Sequence, residues 1–459
     1  MASSPGRTKL STVDKKQGHK FQDERTYARE LFESQLVIHK PQSADDRLAF
    51  LVIETLVREQ VEDCCYRLVP QVLYSDPLVG ACFKPNCLAS RYRSQRAGYD
   101  SLKPLYTAMN EALSALQLAL STPLSTNRSA RSVCLLAVSG LSCFDSLKGD
   151  SGFGSAGHLD GMMAILGCAA GEPDFDDLGY ALLDLHCVDF CIASCVRGQV
   201  SPVEAPLGRF TTAKTTSSTR DSTTSRLQAV SSDLFSMIPR LVLYLRKYRA
   251  SALRPLGDLA KMQKLAHDLF HHGAEDAENT ALHEVHITRV KLAVDEQISR
   301  HAMHYQSWDR FEALLRHWTS RLIVVTACLR IQKHSTSTPQ TTEEEDSSHT
   351  LPSICDLQAE SKRLTTQLLM SRTYARTVRS RRRGWAHALV TISGALADLP
   401  SDNDKEQKEL TMSWIVQELT ATLRPTTPFS QRDVDDAAEL MVGAGSGGRY
   451  GEIYSRRPA

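Results

Sequence analysis

Apolar residues recur along this chain at intervals of three and four positions. The clearest series includes Ile287, Val290, Val294 and Ile298 and continues in the same register, with one step of seven, from Tyr305 to Leu322. Because three or four residues complete one helical turn, such a series lines one face of a helix. The alternation of apolar and polar residues that is typical of strands is sustained nowhere. The pattern therefore predicts an all-α protein with a long buried stripe ending near Leu322.

About a dozen helices are expected, arranged as a large multi-helix bundle or array. Capping residues mark some of the starts. Ser43, for example, precedes the apolar run from Leu48 to Val57, and Asp46 follows it by three positions, which resembles a capping box. The predicted helices include Phe21–Ile38, Leu48–Leu68, Leu102–Leu120, Leu178–Cys195, Leu227–Tyr248, Leu253–Phe270, Leu357–Leu369 and Ala386–Leu396.

Three polar or Gly-rich segments interrupt the helical pattern. Residues 211–225 are rich in Ser and Thr, residues 333–353 carry the acidic run Glu343–Asp346, and residues 443–459 form a Gly-rich tail. Such compositions bury too little apolar surface to offset the entropy of ordering, so we expect disordered loops and a disordered tail. With residues 1–20 as a polar N-terminal tail, one helical domain is expected over residues 21–442.

The composition is that of a folded protein whose positive and negative charges nearly balance. The chain has 459 residues, of which 42% are apolar, and this is enough to bury a large core. Its 54 Lys and Arg residues nearly balance its 53 Asp and Glu residues, giving a net charge of +1. A nucleic-acid backbone would therefore be attracted only by a local basic patch and not by the field of the whole molecule.

Cysteine usage and the termini favour an intracellular protein. The 12 cysteines lie mostly within apolar helical runs, as reduced thiols do, and not at the loop spacings of a disulfide framework. No uninterrupted apolar run reaches the length of a membrane-spanning helix, and the longest candidate lies near Leu322–Leu329. The N-terminal residues carry several lysines without an apolar signal core.

Three motifs that resemble catalytic or cofactor-binding sequences are better explained as turns. Gly149–Gly152 spells the nucleophile sequence of trypsin-like serine proteases, but the helical periodicity on both sides does not suit the β-barrels that this chemistry uses. Gly152–Gly157 and Gly443–Gly448 match the dinucleotide fingerprint, yet neither follows a strand. We therefore expect no catalytic residue, no cofactor and no enzymatic activity.

Cysteine and histidine clusters are also expected to be structural. Cys187, Cys191 and Cys195 recur every four residues, so their sulfur atoms would lie along one helix ridge and spread too far to surround a single zinc ion. Small buried side chains are the better interpretation. No metal site is expected, because the histidine groups lack the HExxH spacing and suit solvated helix faces; these are His267, His271 and His272, and His283 with His286.

One basic run is a candidate for a nucleic-acid contact or a nuclear-import address. The same arginines would alternatively close a helix, where cations complement the dipole and stay solvated. The run begins with Arg372 and Arg376, and its candidate contact residues are Arg379, Arg381, Arg382 and Arg383.

The stretch Ser132–Pro202 resembles the core signature of the fungal-specific transcription factor regulatory domain, a helical region that usually follows a zinc binuclear cluster. In that family an apolar helix precedes a His-Leu-x-Gly segment with an aliphatic face, and a later helix ends near an Arg-x-Pro turn. This chain has the apolar run Val133–Cys143. The other matching residues are His158, Leu159, Gly161, Met163, Ile165, Leu166, Arg197 and Pro202.

The chain departs from the family pattern at two places. Cys168–Gly171 stands where an Arg-Gly pair is usual. The zinc cluster itself needs cysteines in C-x2-C spacing, and no two cysteines here have that spacing. The resemblance therefore implies a nuclear, transcription-factor-like regulator without its own base-reading module. It would control pathway genes, such as those of secondary metabolism, through protein partners, as a homodimer or a heterodimer.

Two other interpretations remain open at the level of sequence. A helical enzyme or small-molecule-binding protein of a biosynthetic pathway would place carboxylates or histidines together in a cleft between helices. A gene product whose zinc cluster lies in an upstream exon would show a Cys-x2-Cys repeat in the genomic sequence before Met1.

Overall fold

The computed structural model describes residues 47–52, 54, 72–73, 76–95, 103–121, 127–148, 155–167, 175–206, 222–251, 256–290, 297–335, 350–377, 382–400, 405–423, 425 and 427–444. The chain divides into two compact units, Met1–Phe50 and Leu51–Ala459. In the first unit residues 47–50 are described, and they are helical. All elements below belong to the second unit.

The described residues confirm the all-α prediction, since 84% of them are helical and they form 14 helices and one small sheet. The helices are α1 (Pro77–Gln95), α2 (Lys103–Leu120), α3 (Arg128–Lys148), α4 (Ser155–Gly167), α5 (Asp177–Arg197), α6 (Ser222–Ala250), α7 (Leu256–His271), α8 (Glu275–His283), α9 (Trp308–Ser335), α10 (Ile354–Met370), α11 (Arg372–Thr377), α12 (Arg382–Asp398), α13 (Lys405–Leu423) and α14 (Gln431–Leu440). The strands are β1 (His286–Arg289) and β2 (His301–His304).

Helix α9 is the centre of the array. Residues 311–331 are buried without exception, as expected of a helix that is covered on every side. It packs against α6, α7, α8, α10 and α12. The remaining helices extend from it as successive layers, because α6 packs on α5, α5 on α3, and α3 on α1 and α4.

Local capping explains several helix ends. The Asp176 side chain accepts a hydrogen bond from the Gly179 amide at 2.9 Å at the start of α5. Gly198 ends the same helix with a φ of 63°, a left-handed conformation that glycine adopts without steric cost. Ser430 and Asp433 form a reciprocal capping box at the start of α14.

The segment before α9 corrects one sequence prediction. Ile287, predicted on a helical stripe, lies instead in β1, which pairs antiparallel with β2 so that His286 is opposite His304 and Arg289 is opposite His301. The Val290 amide extends the pairing to the Arg300 carbonyl at 3.0 Å. Of the described residues of the stripe, Ile287 and Val290 are not helical, Ile298 lies in a helical stretch, and the residues from Trp308 to Leu322 lie in α9.

Most predicted helix positions are confirmed within a few residues, and the boundary differences are small. Helix α6 begins at Ser222, inside the predicted loop 211–225, and α9 continues to Ser335, inside the predicted loop 333–353. Residues 1–20, the predicted helix Phe21–Ile38 and the tail beyond residue 444 lie outside the described residues. Of Leu48–Leu68, residues 48–52 and 54 are described and helical.

Helix α5 is the one described helix that is long and apolar enough, by length and composition, to cross a membrane. Here 61% of its apolar window is buried inside the protein. The burial is that of a core helix, in agreement with its packing between α3 and α6.

Candidate functional site

The family-like residues come together where α4 meets the end of α5. Arg197, in the last turn of α5, forms an ion pair with Asp160 and donates a hydrogen bond to Met163 Sδ at 3.0 Å. Leu159, Ile165 and Leu166 are buried, and His158 is half-buried. Burial lowers the pKa of the Arg197 guanidinium. The two parts of the resembling stretch are thus held together in space by a polar contact.

Close packing does not require a glycine at position 161. A Cβ atom there would lie 3.7 Å from Val138 Cγ1, which is an ordinary van der Waals contact. Gly140 on α3 is a position where close packing does require glycine, because a Cβ there would lie 2.7 Å from the buried Phe83 ring. The Gly140 carbonyl also accepts a hydrogen bond from Asn86 Nδ2 at 2.8 Å, which fixes α1 against α3.

The structure separates the basic run into two parts. Arg372 is fully buried and donates to the Leu369 and Ser299 carbonyls at 3.1 and 3.2 Å. Arg376 forms an ion pair with Glu418 at 2.8 Å, and its guanidinium carbon lies 5.8 Å from the centre of the Trp414 ring. Arg372 is therefore part of the core, whereas Arg376 remains exposed to solvent while its ion pair ties α11 to α13.

The remaining arginines lie between helices or at a helix start. Arg379 and Arg381 fall outside the described residues, and Arg382 and Arg383 open α12. The interpretation of these two as helix-closing cations is wrong, since they occupy the end where the helix dipole is positive. The predicted contact set of Arg379, Arg381, Arg382 and Arg383 stays a prediction.

The cysteine ridge of α5 is structural, as predicted. Cys187, Cys191 and Cys195 are buried free thiols. Burial raises the pKa of Cys187 to about 11, although the Arg316 charge opposes this, and burial likewise raises the pKa of Cys191. Thiols with raised pKa are poor nucleophiles and poor metal ligands. Among the described residues no group of three or more His, Cys, Asp or Glu side chains could hold a metal ion.

The histidines predicted on solvated faces are arranged as pairs. His267 and His271 on α7 have ring centres 4.4 Å apart, and His272 lies 3.3 Å from an Asp233 oxygen. His283 is exposed at the end of α8, whereas His286 is exposed in β1, opposite His304, and not on a helix as predicted.

A buried polar chain with the connectivity of a catalytic triad joins α3, α5 and α12. Ser139 Oγ lies 2.7 Å from His186 Nε2, and His186 Nδ1 lies 3.5 Å from Asp189 Oδ2. His387 Nε2 lies 3.9 Å from the other Asp189 oxygen. Sequence reasoning missed this chain, because Ser139 and His186 are 47 positions apart and neither belongs to a local motif.

The surroundings of Ser139 do not suit acyl transfer. Its exposed fraction is 0%, so a substrate carbonyl cannot reach the hydroxyl. It also lies in the middle of α3, where the neighbouring backbone amides serve the helix and cannot form an oxyanion hole. The arrangement instead satisfies buried polar groups between three helices.

A second buried cluster connects α9 to α5 and α6. Arg316 donates to both Asp184 oxygens at 3.0 and 3.2 Å and to Ser232 Oγ and Cys187 Sγ at 2.8 Å. Burial alone would lower the pKa of Arg316, but the Asp184 charge outweighs it and raises that pKa. The guanidinium is therefore permanently charged, and although its buried Nε has no hydrogen-bond partner, its two terminal nitrogens connect three helices.

The described surface has one apolar concentration. Eight large hydrophobic residues are exposed in the part of the chain that the structure describes, and four of them lie on α2: Tyr106, Leu113, Leu118 and Leu120. The opposite face of α2 packs on α1 and buries Leu105, Ala108, Ala112 and Leu116. Lys103 and Glu111 are the two charged residues of α2, and Glu111 pairs with Lys84 of α1 at 2.9 Å. Such an apolar, charge-poor surface is typical of a protein contact.

No protein-family model, curated protein or solved structure matches the chain. Its function is therefore inferred from its own residues and contacts.

Proposed function

We propose that this protein is a transcription-factor-like regulatory protein that controls a set of pathway genes through protein contacts. The observation that carries this proposal is the exposed apolar face of α2, defined by Tyr106, Leu113 and Leu120. Soluble proteins seldom leave several large apolar side chains on one helix face unless a partner covers them. Support also comes from the family-like stretch, whose two parts meet through Arg197 and Asp160.

The charge distribution favours indirect action on DNA. The net charge of +1 supplies no field that would hold the whole protein on a phosphate backbone. Arg372 is buried and cannot reach DNA, and the charge of the exposed Arg376 is balanced by its ion pair with Glu418. We therefore assign base recognition to a partner and nuclear import to the group Arg379, Arg381, Arg382 and Arg383.

The buried polar clusters fit a scaffold better than a catalyst. Ser139, His186 and Arg316 each satisfy a neighbour on another helix and leave no reactive group at the surface. Buried polar groups that are paired between helices in this way favour one packing of those helices. A fixed arrangement of helices would present α2 in one orientation to its partner.

The experiment that tests this proposal is chromatin crosslinking and sequencing of the tagged protein in its native cell, combined with transcript profiling after deletion. We expect occupancy at promoters and coordinated loss of a gene set. A matched pair of variants makes the test specific to α2. Leu113→Glu should abolish promoter occupancy, whereas Leu410→Glu on α13 should preserve it. Leu410 is a matched control because the two leucines have nearly equal exposed fractions, 39% and 38%.

A second candidate function is a helical enzyme or small-molecule-binding protein. The observation that favours it is the convergence of His186 and His387 on Asp189, as expected of a site between helices. In that case deletion would change one metabolite while transcripts and chromatin signals stayed unchanged. Asp189→Asn would then reproduce the metabolic change without altering protein abundance.

A further inference from the structure

Two histidines are in contact at the end of α7. His267 and His271 are four positions apart, so their side chains lie on one face of the helix. Their ring centres are 4.4 Å apart, and the ring planes are tilted by 54°. His267 is half-buried and His271 is exposed, so the pair is open to solvent on the side of His271.

We propose that His267 and His271 together bind a divalent transition metal ion such as Zn²⁺ or Cu²⁺, for which imidazole nitrogen is a preferred ligand. Two nitrogens on one zinc ion lie within about 4 Å of each other, because each Zn–N bond is ~2.1 Å long. Rings that are already in contact reach this separation by side-chain rotation alone. Water fills the other positions, because among the described residues no group of three or more His, Cys, Asp or Glu side chains could hold a metal ion.

The residue after His267 supports a role in binding metal. The segment 267–271 has the histidine spacing of HExxH, with Asp268 where that motif has Glu, and this corrects the expectation of no metal site. Asp268 Oδ1 lies 3.5 Å from His267 Nδ1. A carboxylate at one ring nitrogen orients an imidazole toward a metal at the other nitrogen. We therefore assign Nε2 of His267 to the metal and a positioning role to Asp268.

The electrostatic surroundings favour a cation at this place. Both histidines lie in the last turns of α7, where the backbone carbonyls carry a partial negative charge. Arg321 brings a positive charge by donating a hydrogen bond to the Phe270 carbonyl. Glu360 lies 3.9 Å from the Arg321 guanidinium and offsets that charge. The Asp268 carboxylate then adds a negative charge directly beside the histidine pair.

Calorimetric titration of the full chain with Zn²⁺ tests the site. The background is His304→Ala, which removes the histidine opposite His286 in the hairpin. His271→Ala should weaken the tightest binding of Zn²⁺ by at least about tenfold. The control is His301→Ala, at an exposed histidine that faces Arg289 and should leave the binding unchanged. Equal weakening in both variants would indicate an adventitious ion only and overturn the site, as would a parent protein that binds no Zn²⁺.

Electron spin-echo spectroscopy with Cu²⁺ in place of Zn²⁺ supplies the second measurement, because it counts the imidazole rings on the metal. The parent and His301→Ala should show two rings on the copper, and His271→Ala should show one. A single ring in the parent would overturn the proposed pair. Thermal unfolding without metal checks that His271→Ala is folded, as expected for a substitution at an exposed position. The site lies on α7 and goes beyond the proposed function, which uses α2.

Discussion

Glu278 on α8 provides the sharpest test of the ionic core around α9. Its Oε1 atom accepts hydrogen bonds from Trp318 Nε1 at 2.7 Å and Arg363 Nη1 at 2.6 Å. Its Oε2 atom lies 3.6 Å from His317 Nε2. Burial alone would raise the pKa of Glu278, but the hydrogen bonds and charges of His317 and Arg363 outweigh burial and lower that pKa to about 2. The carboxylate is therefore more stable in the folded protein than in the unfolded chain.

The magnitude follows from this pKa. A fall from 4.5 to about 2 corresponds to about 3 kcal/mol of folding free energy at neutral pH, at ~1.36 kcal/mol per pH unit. Because the folded-state pKa is the lower one, this contribution is present above about pH 5 and is lost as the pH falls toward 2. Glu278→Gln should reduce the free energy of unfolding by about 2 to 3 kcal/mol at pH 7.

Urea unfolding followed by circular dichroism at pH 7 and pH 3.5 measures the effect. The difference between wild type and Glu278→Gln should shrink by about 1.4 kcal/mol at the lower pH, since glutamine does not titrate. Glu275→Gln, at an exposed position of the same helix, is the control and should change stability by less than about 0.5 kcal/mol. A pH-independent difference, or equal losses in both variants, would refute the reasoning.

Three further predictions concern the packing and the polar clusters. Gly140→Ala should lower the free energy of unfolding by about 1 to 3 kcal/mol, because the added Cβ meets the buried Phe83 ring. Gly161→Ala, whose Cβ makes an ordinary van der Waals contact, should be neutral or stabilising by up to ~1 kcal/mol. Thermal and urea unfolding measure both variants, and equal effects would contradict the close contact between Gly140 and Phe83. Ser139→Ala should lower the free energy of unfolding by about 1 to 3 kcal/mol, because it leaves His186 Nε2 without this partner. Promoter occupancy should persist at a permissive temperature. Loss of a cellular activity with unchanged stability would contradict the structural role of Ser139. In thiol labelling of the native protein at pH 7.5, Cys355→Ser should remove one fast-reacting thiol because Cys355 is exposed. Cys187→Ser should remove none, because Cys187 is buried and its pKa is raised to about 11. Rapid labelling of Cys187 would show that the core opens.

The fold class was predictable from the sequence because the caps and the apolar face of a long helix lie close together along the chain. The stretch that became α5 carries its cap residue, its apolar face and its terminal glycine within 23 positions, and its predicted core agrees with the structure. The hairpin was not predictable in the same way. Each strand has four residues, too few for alternation to appear, and Ile287 happened to fit a helical spacing.

The polar sites could not be read from sequence because their partners are distant along the chain. The sequence suggested that Arg372 is part of a basic surface, yet it is buried and donates a hydrogen bond to the carbonyl of Ser299, 73 positions away. Arg316 is paired with Asp184 across 132 positions. The exposed stripe of α2 was equally hidden, because Leu113 and Leu116 look alike until packing on α1 buries one and exposes the other.

The most direct test of the central claim is transcript profiling of a deletion strain that expresses wild-type protein, Leu113→Glu or Leu410→Glu at equal abundance. If the protein regulates genes through the apolar face of α2, wild type and Leu410→Glu restore the lost gene set and Leu113→Glu does not. Equal restoration by all three proteins would show that this face has no part in the function. A deletion that changes no transcripts would contradict the regulatory role itself.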